Sequence, residues 1–141
     1  PGVDGQKMSK SYNNTIPIFL EEKALLKMVR KIKTNSLEPG FPKDSKTCNV
    51  FKLYKAFASE SEVEDFELLY QNGIAWGDAK NVLFERLNAE LKPLRENYKE
   101  IIDDRGTLEQ TLVSGAQRAR KVASTILQNV RYAVGIKSFS D

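Results

Sequence analysis

Two lysines, Lys7 and Lys10, lie three residues apart near the start of the chain, beside the hydroxyl groups of Ser9 and Ser11. A lysine ammonium is a compact charge on a flexible stem, which suits polyphosphate oxygens, and serine hydroxyls can hydrogen-bond the same ligand. The run Lys7-Met8-Ser9-Lys10-Ser11 therefore predicts a phosphate-binding loop. Lysine and serine are also common in solvated loops, so this spacing alone does not establish a nucleotide site.

The residues that the sequence lacks limit the chemistry further. The chain contains no histidine and one cysteine, Cys48. Ser-His-Asp and Cys-His catalysis are therefore excluded, the usual zinc ligand sets cannot be built, and we expect no protein-bound metal. Any chemistry must use lysine, carboxylate or hydroxyl groups. A single cysteine cannot form an internal disulfide, which fits a reducing cytoplasm.

Length and composition indicate one ordinary globular domain. A chain of 141 residues with 40% hydrophobic content can build a core without disulfides or metals. Its apolar runs, such as residues 16–20, are too short to cross a bilayer, so we expect no membrane segment. The chain begins with neither a methionine nor a signal peptide, and we expect it to be a piece of a longer protein.

Apolar residues recur every three or four positions along most of the chain, which predicts an all-α fold. Pro93 should kink the fourth of the predicted helices or divide it into two abutting helices. The expected architecture is a helical bundle over residues 18–141, preceded by a flexible loop over residues 1–17. The helices are predicted over residues 21–32 and 47–58, from Ser59 or Ser61 to Gly73, and over 78–103 and 107–135.

Particular residues should cap the helices or fill the core. A short connector containing Trp76 should lead to Asp78 as the cap of the fourth helix. Thr107 with Gln110 should form a capping box for the fifth, after a break at Arg105-Gly106. The apolar residues of the first four predicted helices are expected to form the core: Ala24, Leu25, Met28, Val29 and Ile32 on the first, Val50, Leu53, Tyr54 and Phe57 on the second, Phe66, Leu69 and Tyr70 on the third, and Leu83, Leu87, Leu91, Leu94, Tyr98 and Ile101 or Ile102 on the fourth.

Two connecting segments allow both a structural and a functional interpretation. Residues 34–46 are rich in proline, glycine and other turn residues, so they form a loop or linker. The residues Lys33, Thr34, Asn35 and Ser36 are either a plain connection, which we favour, or an approach to RNA. Trp76 is either a core residue, which we favour, or a platform for stacking on a base.

The last helix is basic on one side. The segment between Gln110 and Ser140 contains no acidic residue, and five bases: Arg118, Arg120, Lys121, Arg131 and Lys137. Arg120 and Arg131 are separated by about three turns, or about 16 Å, so they project in nearly the same direction. We predict contact with RNA phosphates, with a solubilising face as the alternative. One face of the helix is an apolar stripe, and its alanines would let the helix pack closely against a neighbour: Leu108, Leu112, Ala116, Ala119, Ala123, Ile126, Val130 and Val134.

The sequence Lys-Met-Ser-Lys-Ser-Tyr-Asn-Asn-Thr-Ile at residues 7–16 resembles the signature loop of the class I aminoacyl-tRNA synthetases. Its continuation, together with Gly-Ile-Ala-Trp-Gly-Asp-Ala-Lys at residues 73–80, is similar to the bacterial tryptophanyl branch of that family. The tyrosyl branch is the near competitor, but its bacterial members usually carry a different lysine-rich loop. The resemblance covers essentially the whole chain.

The resemblance implies an activity and roles for individual residues. The parent enzyme would activate tryptophan with ATP, which carries Mg2+ as its counter-ion, and transfer it to tRNA(Trp). Lys10 would be the principal cation in the transition state and Lys7 the second pyrophosphate contact, while Met8, Ser9 and Ser11 shape the loop and contact ATP. Residues 1–17 would close the catalytic domain, and residues 18–141 would be the helical anticodon-binding domain of a homodimeric, cytoplasmic parent.

Two other functions remain open from the sequence. A non-catalytic helical RNA-binding module could have kept the lysine loop as a relic. A protein-interaction bundle could use its basic helix to bind an acidic partner. If the parent is the synthetase, we expect no aminoacylation by the chain alone, since the family's histidine-containing ATP motif has no counterpart in a sequence without histidine.

Overall fold

The computed structural model describes residues 1–136. Across that range the regular structure is entirely helical, which confirms the predicted all-α fold. A 3-10 turn over Lys10–Tyr12 precedes five α-helices. These are α1 (Glu22–Arg30), α2 (Asn49–Lys55), α3 (Glu60–Gln71), α4 (Trp76–Asp103) and α5 (Arg105–Ala133).

The first two helices are shorter than predicted, and local hydrogen bonds explain both differences. Beyond α1, Lys31 N donates to Met28 O and Ile32 N to Val29 O, so the last turn tightens to a 3-10 pattern. Before α2, the Asp44 carboxylate accepts from Lys46 N at 2.8 Å and Thr47 Oγ1 at 2.7 Å. That turn delays the start of α2 to Asn49.

Helix α3 begins with the predicted capping box. The Ser59 hydroxyl accepts from Glu62 N at 3.4 Å, and the Glu62 carboxylate accepts from Ser59 N at 2.7 Å. The two hydrogen bonds with Ser59 lower the pKa of Glu62. The competing box at Ser61 is not the one that forms, because α3 already begins at Glu60.

Helix α4 differs from the prediction at its start and at its proline. It begins at Trp76, so the predicted connector and the Asp78 cap are wrong, and Asp78 lies in the first turn. The helix continues through Pro93 without a break, so the prediction of two abutting helices is also wrong. Proline costs about 3 kcal/mol in a helix interior. Buried residues on both sides of it, Leu91 and Arg95, indicate that packing offsets this cost.

Helix α5 begins two residues earlier than predicted. Asp104 is its N-cap, and the Asp104 carboxylate accepts from Thr107 N at 3.1 Å. Arg105 and Gly106 are therefore the first residues of the helix rather than a break, and the predicted Thr107 capping box is wrong. The reason is that an aspartate cap already satisfies the amide that Thr107 would otherwise leave free.

The buried core lies in residues 1–98. Its centre is aromatic: the Tyr54 and Phe66 ring centroids are 4.3 Å apart, and those of Phe66 and Tyr70 are 5.0 Å apart. The core residues are Leu25, Val29, Ile32, Val50, Phe51, Leu53, Tyr54, Phe66, Tyr70, Ala79, Leu83, Phe84, Leu87 and Leu91.

Several residues predicted to be buried are exposed instead: Phe57, Leu69, Leu94, Tyr98, Ile101 and Ile102. They lie near helix ends or beyond the last core turn of α4, so the apolar period continues past the buried core. Tyr98 stacks on Phe19, with ring centroids 4.4 Å apart. The chain forms two compact units, Pro1–Tyr98 and a second that begins at Lys99.

Candidate functional site

The lysine-rich loop is organised around the side chain of Asn14, which is 1% exposed. The Asn14 amide nitrogen donates to Asp4 Oδ1 at 2.9 Å and to Lys7 O at 3.1 Å. Its amide oxygen accepts from Ser9 N at 2.8 Å. One buried amide therefore fixes the backbone at both ends of the segment over residues 7–9.

A short 3-10 turn follows directly. Ser9 is the N-cap of this turn, and its hydroxyl accepts from Ser11 N at 3.3 Å. Asn13 closes the turn in the left-handed region, with φ of 50°, and donates its N–H to Lys10 O. Lys10 is thus the first residue of a capped turn rather than part of an extended arm.

The five predicted loop residues lie together on the surface of this arrangement. Lys7, Met8, Lys10 and Ser11 are exposed, and Ser9 is half-buried. The Asn14 side chain fixes the backbone of this segment, while both lysine side chains are exposed to solvent. The binding of these two exposed lysines to an anionic ligand stays a prediction from the sequence.

The base of the loop is attached to the helical part of the same unit. Val3 O accepts from Lys33 N, just beyond α1, at 2.9 Å. Gly5 has φ of +88°, and a Cβ atom there would lie 2.5 Å from the side-chain nitrogen of Asn49, the first residue of α2. Glycine is required at this position because an L side chain is strained at positive φ.

The Asp4 carboxyl group also anchors the lysine-rich loop. It accepts from the Asn14 side chain and from Gln6 N, and these bonds, in that order of importance, lower the pKa of Asp4. Lys33 adds a smaller attraction that acts in the same direction. Asp4 therefore stays ionised at neutral pH and keeps the Asn14 amide oriented with its nitrogen towards the carboxylate.

A polar cavity of about 300 Å³ lies beside the end of α1. Trp76 donates its indole N–H to Asn35 Oδ1 at 3.1 Å and packs edge-on against Tyr70, with ring centroids 5.9 Å apart. Trp76 is therefore packed against its neighbours, which is the interpretation favoured from the sequence. The cavity is lined by Lys33, Thr34, Asn35, Asp44, Thr47, Cys48, Asn49 and Trp76.

Sequence reasoning missed a buried lysine that holds residues 34–46 in place. Lys43 is 5% exposed, and its ammonium donates to Glu38 O at 3.0 Å and Phe41 O at 3.1 Å. It also lies 5.3 Å from the centre of the Trp76 ring, a cation–π distance. No signal in the sequence distinguishes this lysine from solvated ones, because its partners are backbone carbonyls.

Asn14 was also missed as an organising residue, although a signal existed. It lies in the ten-residue run that resembles the synthetase loop, immediately after a residue suited to the left-handed region. An asparagine offers two donors and two acceptor sites in one side chain, which is what a loop without secondary structure needs at its centre.

The four predicted RNA-binding residues lie on α5, and all four are exposed: Arg118, Arg120, Lys121 and Arg131. Lys137 lies outside the described residues. The close packing that the apolar stripe would allow is not observed, since no residue of Arg105–Ala133 is buried. Leu112 is 65% exposed and Ile126 is 59% exposed.

Residues 1–136 offer neither a metal centre nor a membrane-spanning helix. No group of three or more histidine, cysteine, aspartate or glutamate side chains in that range is arranged to hold a metal ion. No helix within it is long and apolar enough to cross a membrane.

Comparison with known proteins identifies the class first. The sequence model for the tRNA synthetases of class I (W and Y) matches residues 1–92. The chain therefore belongs to this family of class I aminoacyl-tRNA synthetases, and the resemblance predicted from the sequence is confirmed.

Within the family, the chain is similar to the tryptophan enzymes of bacteria. It is 48% identical to the tryptophan–tRNA ligase of Neisseria meningitidis over 136 residues, which are 96% of this chain and 40% of that protein. It is 44% identical to that of Xanthomonas campestris over 141 residues, which are 99% of this chain and 33% of that protein. The chain thus spans about a third to two fifths of the length of these curated relatives.

A solved structure gives the same result. The tryptophanyl-tRNA synthetase of Campylobacter jejuni, complexed with ADP and tryptophan, superposes with a TM-score of 0.90 at 41% identity. The match covers 95% of this chain and 42% of that chain. The predicted similarity to the tryptophanyl branch is confirmed, and the helical architecture agrees with that of a known member.

Proposed function

We propose that the chain is part of a tryptophan–tRNA ligase, which activates tryptophan with ATP and transfers it to tRNA(Trp). Membership of the class I family supports the use of ATP. The similarity of the chain to tryptophan–tRNA ligases supports the amino acid. The observation that carries the proposal is the loop itself, in which Lys7 and Lys10 are exposed above a backbone fixed by the buried Asn14.

The chemistry of activation explains why two cations are needed. When the tryptophan carboxylate attacks the α-phosphorus of ATP, negative charge accumulates on the departing pyrophosphate. Cations that reach this charge as it develops stabilise the transition state more than the ground state. Lys10 is the principal cation in this proposal and Lys7 the second. Met8, Ser9 and Ser11 shape the loop and contact ATP, whose usual counter-ion is Mg2+.

The proposal also divides the chain between two parts of the parent enzyme. Residues 1–17 are the end of the catalytic domain, and residues 18–141 are the helical anticodon-binding domain. The parent is a cytoplasmic homodimer. The sequence lacks the histidine of the family's ATP motif. We therefore expect no tryptophanyl-adenylate from the purified 141-residue chain, and its detection would contradict this division of labour.

The decisive test is Lys10→Ala in the full-length parent, measured by tryptophan-dependent pyrophosphate exchange. Removing one preorganised group that stabilises the transition state costs about 3 kcal/mol, so the rate should fall about a hundredfold. Lys27→Ala is a matched control, because Lys27 is an exposed lysine on α1. A near-wild-type rate for Lys10→Ala would remove this residue from its proposed role.

A non-catalytic tRNA-binding module is the second candidate, favoured by the exposed bases of α5. Glu109 is the acidic residue within this helix, and from Gln110 onward its charged residues are basic: Arg118, Arg120, Lys121 and Arg131. Both candidates predict tRNA binding that weakens with salt. The two differ in pyrophosphate exchange by the full-length parent, which the module would not perform.

A further inference from the structure

We propose that Asn14 is a positioning residue for the lysine-rich loop: it sets the backbone from which Lys7 and Lys10 reach the departing pyrophosphate. This inference rests on the proposed function and adds a residue that does not itself contact the reacting atoms. It predicts that the effect of changing Asn14 passes through the lysines.

Asn14 occupies a place from which both lysines can be controlled through the backbone. Its nitrogen donates to Lys7 O at 3.1 Å, which fixes the peptide unit that follows Lys7. Its oxygen accepts from Ser9 N at 2.8 Å, one residue before Lys10. Its own carbonyl accepts from Val3 N at 3.0 Å, which attaches the end of the loop to its start.

The burial of this side chain makes its hydrogen bonds hard to replace. Asn14 is 1% exposed, so a smaller residue would leave Ser9 N and Lys7 O without a partner in a place that water does not freely enter. Gly2 is also buried, and a Cβ atom at that position would lie 2.5 Å from Asn14 O. The backbone of Gly2 therefore packs directly against the backbone of Asn14.

Asp4 determines which way the Asn14 amide faces. Its carboxylate can accept but not donate, so the nitrogen of Asn14 must point towards it at 2.9 Å. The oxygen is then directed towards Ser9 N. The charged group that influences Asp4 from beyond α1 is Lys33, which favours the ionised form. The pair Asp4–Asn14 therefore fixes one of the two possible amide orientations.

A positioning role for Asn14 predicts a change in kcat and not in KM. Exposed lysines that act on developing charge contribute to the turnover number rather than to the binding of tryptophan. In the full-length parent, Asn14→Ala is expected to lower kcat for pyrophosphate exchange about tenfold or more, since small misplacements of reacting groups cost up to about a hundredfold. The KM for tryptophan should not change.

The test compares the effect of Asn14→Ala in the full-length parent with its effect in a parent that carries both Lys7→Ala and Lys10→Ala. If Asn14 acts by positioning the two lysines, its effect should shrink to about threefold or less once both are absent. An effect of equal size in both backgrounds would show that Asn14 acts independently of the lysines, and would overturn the inference while leaving the proposed function intact. If Lys10→Ala itself leaves the exchange rate unchanged, the proposed function fails first.

A second variant guards against simple misfolding. The exchange Asp4→Asn with Asn14→Asp keeps the side-chain volumes and restores a donor–acceptor pair between the two positions. This double variant removes the repulsion between two carboxylates that Asn14→Asp creates, so it should recover part of the activity that Asn14→Asp loses, but not the part that depends on donation to Lys7 O. Recovery to the wild-type rate would show that the hydrogen bond to Lys7 O contributes nothing, and would overturn the inference.

A matched control measures the general cost of losing a partly buried amide. Asn88→Ala on α4 removes the Asn88 Oδ1 that accepts from Arg95 Nη2 at 3.0 Å. It should lower the unfolding temperature without changing kcat. A fall in kcat as large as that of Asn14→Ala would show that loss of stability alone explains both, and would contradict a positioning role.

Discussion

The loop at residues 7–11 and the helix α5 both expose basic side chains, but they hold them in different ways. Lys7 and Lys10 extend from a backbone anchored by Asn14, which is 1% exposed and bonded to residues up to ten positions away. The four predicted RNA-binding bases of α5 extend from a helix of 29 residues in which none is buried. In the loop, contacts between distant residues fix the geometry, whereas in α5 helical periodicity fixes it.

The difference agrees with the functions proposed for the two regions. A transition state requires charges placed within a fraction of an ångström, and a buried network can provide this precision. Binding a nucleic-acid backbone depends on charge and tolerates movement, so an exposed helix is sufficient. The contrast extends to the two compact units, because the core belongs to residues 1–98 and α5 belongs to the second unit.

The largest expected effect comes from comparing the same substitution, glycine to alanine, in the two units. The measured quantity is the free energy of unfolding. Gly73 has φ of +80°, and a Cβ atom there would lie 2.4 Å from the backbone carbon of Gly40. Gly73→Ala should destabilise the chain by about 3–4 kcal/mol, because the strained φ and the backbone clash add. Thermal unfolding followed by circular dichroism measures the change.

Gly115→Ala in α5 is the matched control, since a Cβ atom there would have no neighbour within 4 Å. Alanine is a better helix former than glycine, so this variant should gain up to about 1 kcal/mol. Changes of the same sign at both glycines would contradict the distinction between the two units.

A leucine pair gives the next effect in size. Leu83 on α4 is fully buried, whereas Leu112 on α5 is 65% exposed. Leu83→Ala should cost about 3 kcal/mol in the free energy of unfolding through lost burial and a residual cavity. Leu112→Ala should change it by less than about 0.5 kcal/mol. Denaturant titration of both variants tests this, and equal losses would mean that α5 is packed in solution.

Charge removal on α5 should produce a smaller, salt-dependent effect. Arg120→Gln with Arg131→Gln in the full-length parent should weaken tRNA(Trp) binding and reduce the slope of log K against log salt by about 1 for each phosphate that is no longer neutralised. Lys23→Gln with Lys27→Gln on α1 is the matched control. An unchanged slope in the α5 variant would favour an acidic protein partner as the ligand of this helix.

The smallest predicted effect is the pH dependence of the α5 cap. Hydrogen bonds from Thr107, through its side chain and then through its backbone, lower the pKa of Asp104 below its ordinary value. A carboxyl with a depressed folded-state pKa stabilises above the unfolded value and loses that contribution as pH falls through the folded value. The helical signal of α5 should therefore weaken below about pH 4.

Nuclear magnetic resonance titration of the Asp104 carboxyl measures this pKa directly. Glu62 in the α3 capping box, whose pKa is also lowered by its hydrogen bonds, is the internal comparison in the first unit. Both carboxyl groups are exposed, so high salt should weaken only the part of a pKa shift that comes from nearby charges. The part that comes from hydrogen bonds should persist. An Asp104 pKa at or above the ordinary value would contradict the cap.

Much of the fold could be predicted from the sequence because apolar periodicity reports which face of each helix is buried. Leu25, Val29 and Leu83 fall where that pattern placed them. Helix starts were less predictable, since several neighbouring residues could serve as the N-cap. In α5 the N-cap is Asp104 and not the predicted Thr107. Periodicity also continued beyond the last core residue of α4, as at Ile101, which is 57% exposed.

The candidate site was predictable where chemistry alone chooses the residue. Lys7 and Lys10 stand out because an exposed pair of cations among hydroxyls suits a polyphosphate. Lys43 could not be recognised as an organising residue, because its partners are backbone carbonyls, one of them thirty positions away in the chain. Asn14 carried a local signal, but its hydrogen bonds to groups within residues 4–9 are set by the folded loop. Such contacts depend on the tertiary fold, which sequence pattern does not record.

The enclosed ammonium of Lys43 has a consequence for chemical labelling. It is surrounded by carbonyl oxygens of Glu38, Phe41 and Gly73, so an acylating reagent can reach it only when residues 34–46 separate from α3 and Trp76. Its rate of acylation, compared with that of an exposed lysine such as Lys27, would measure how often this segment opens. The reactivity of the Lys43 amine therefore reports the local opening of residues 34–46.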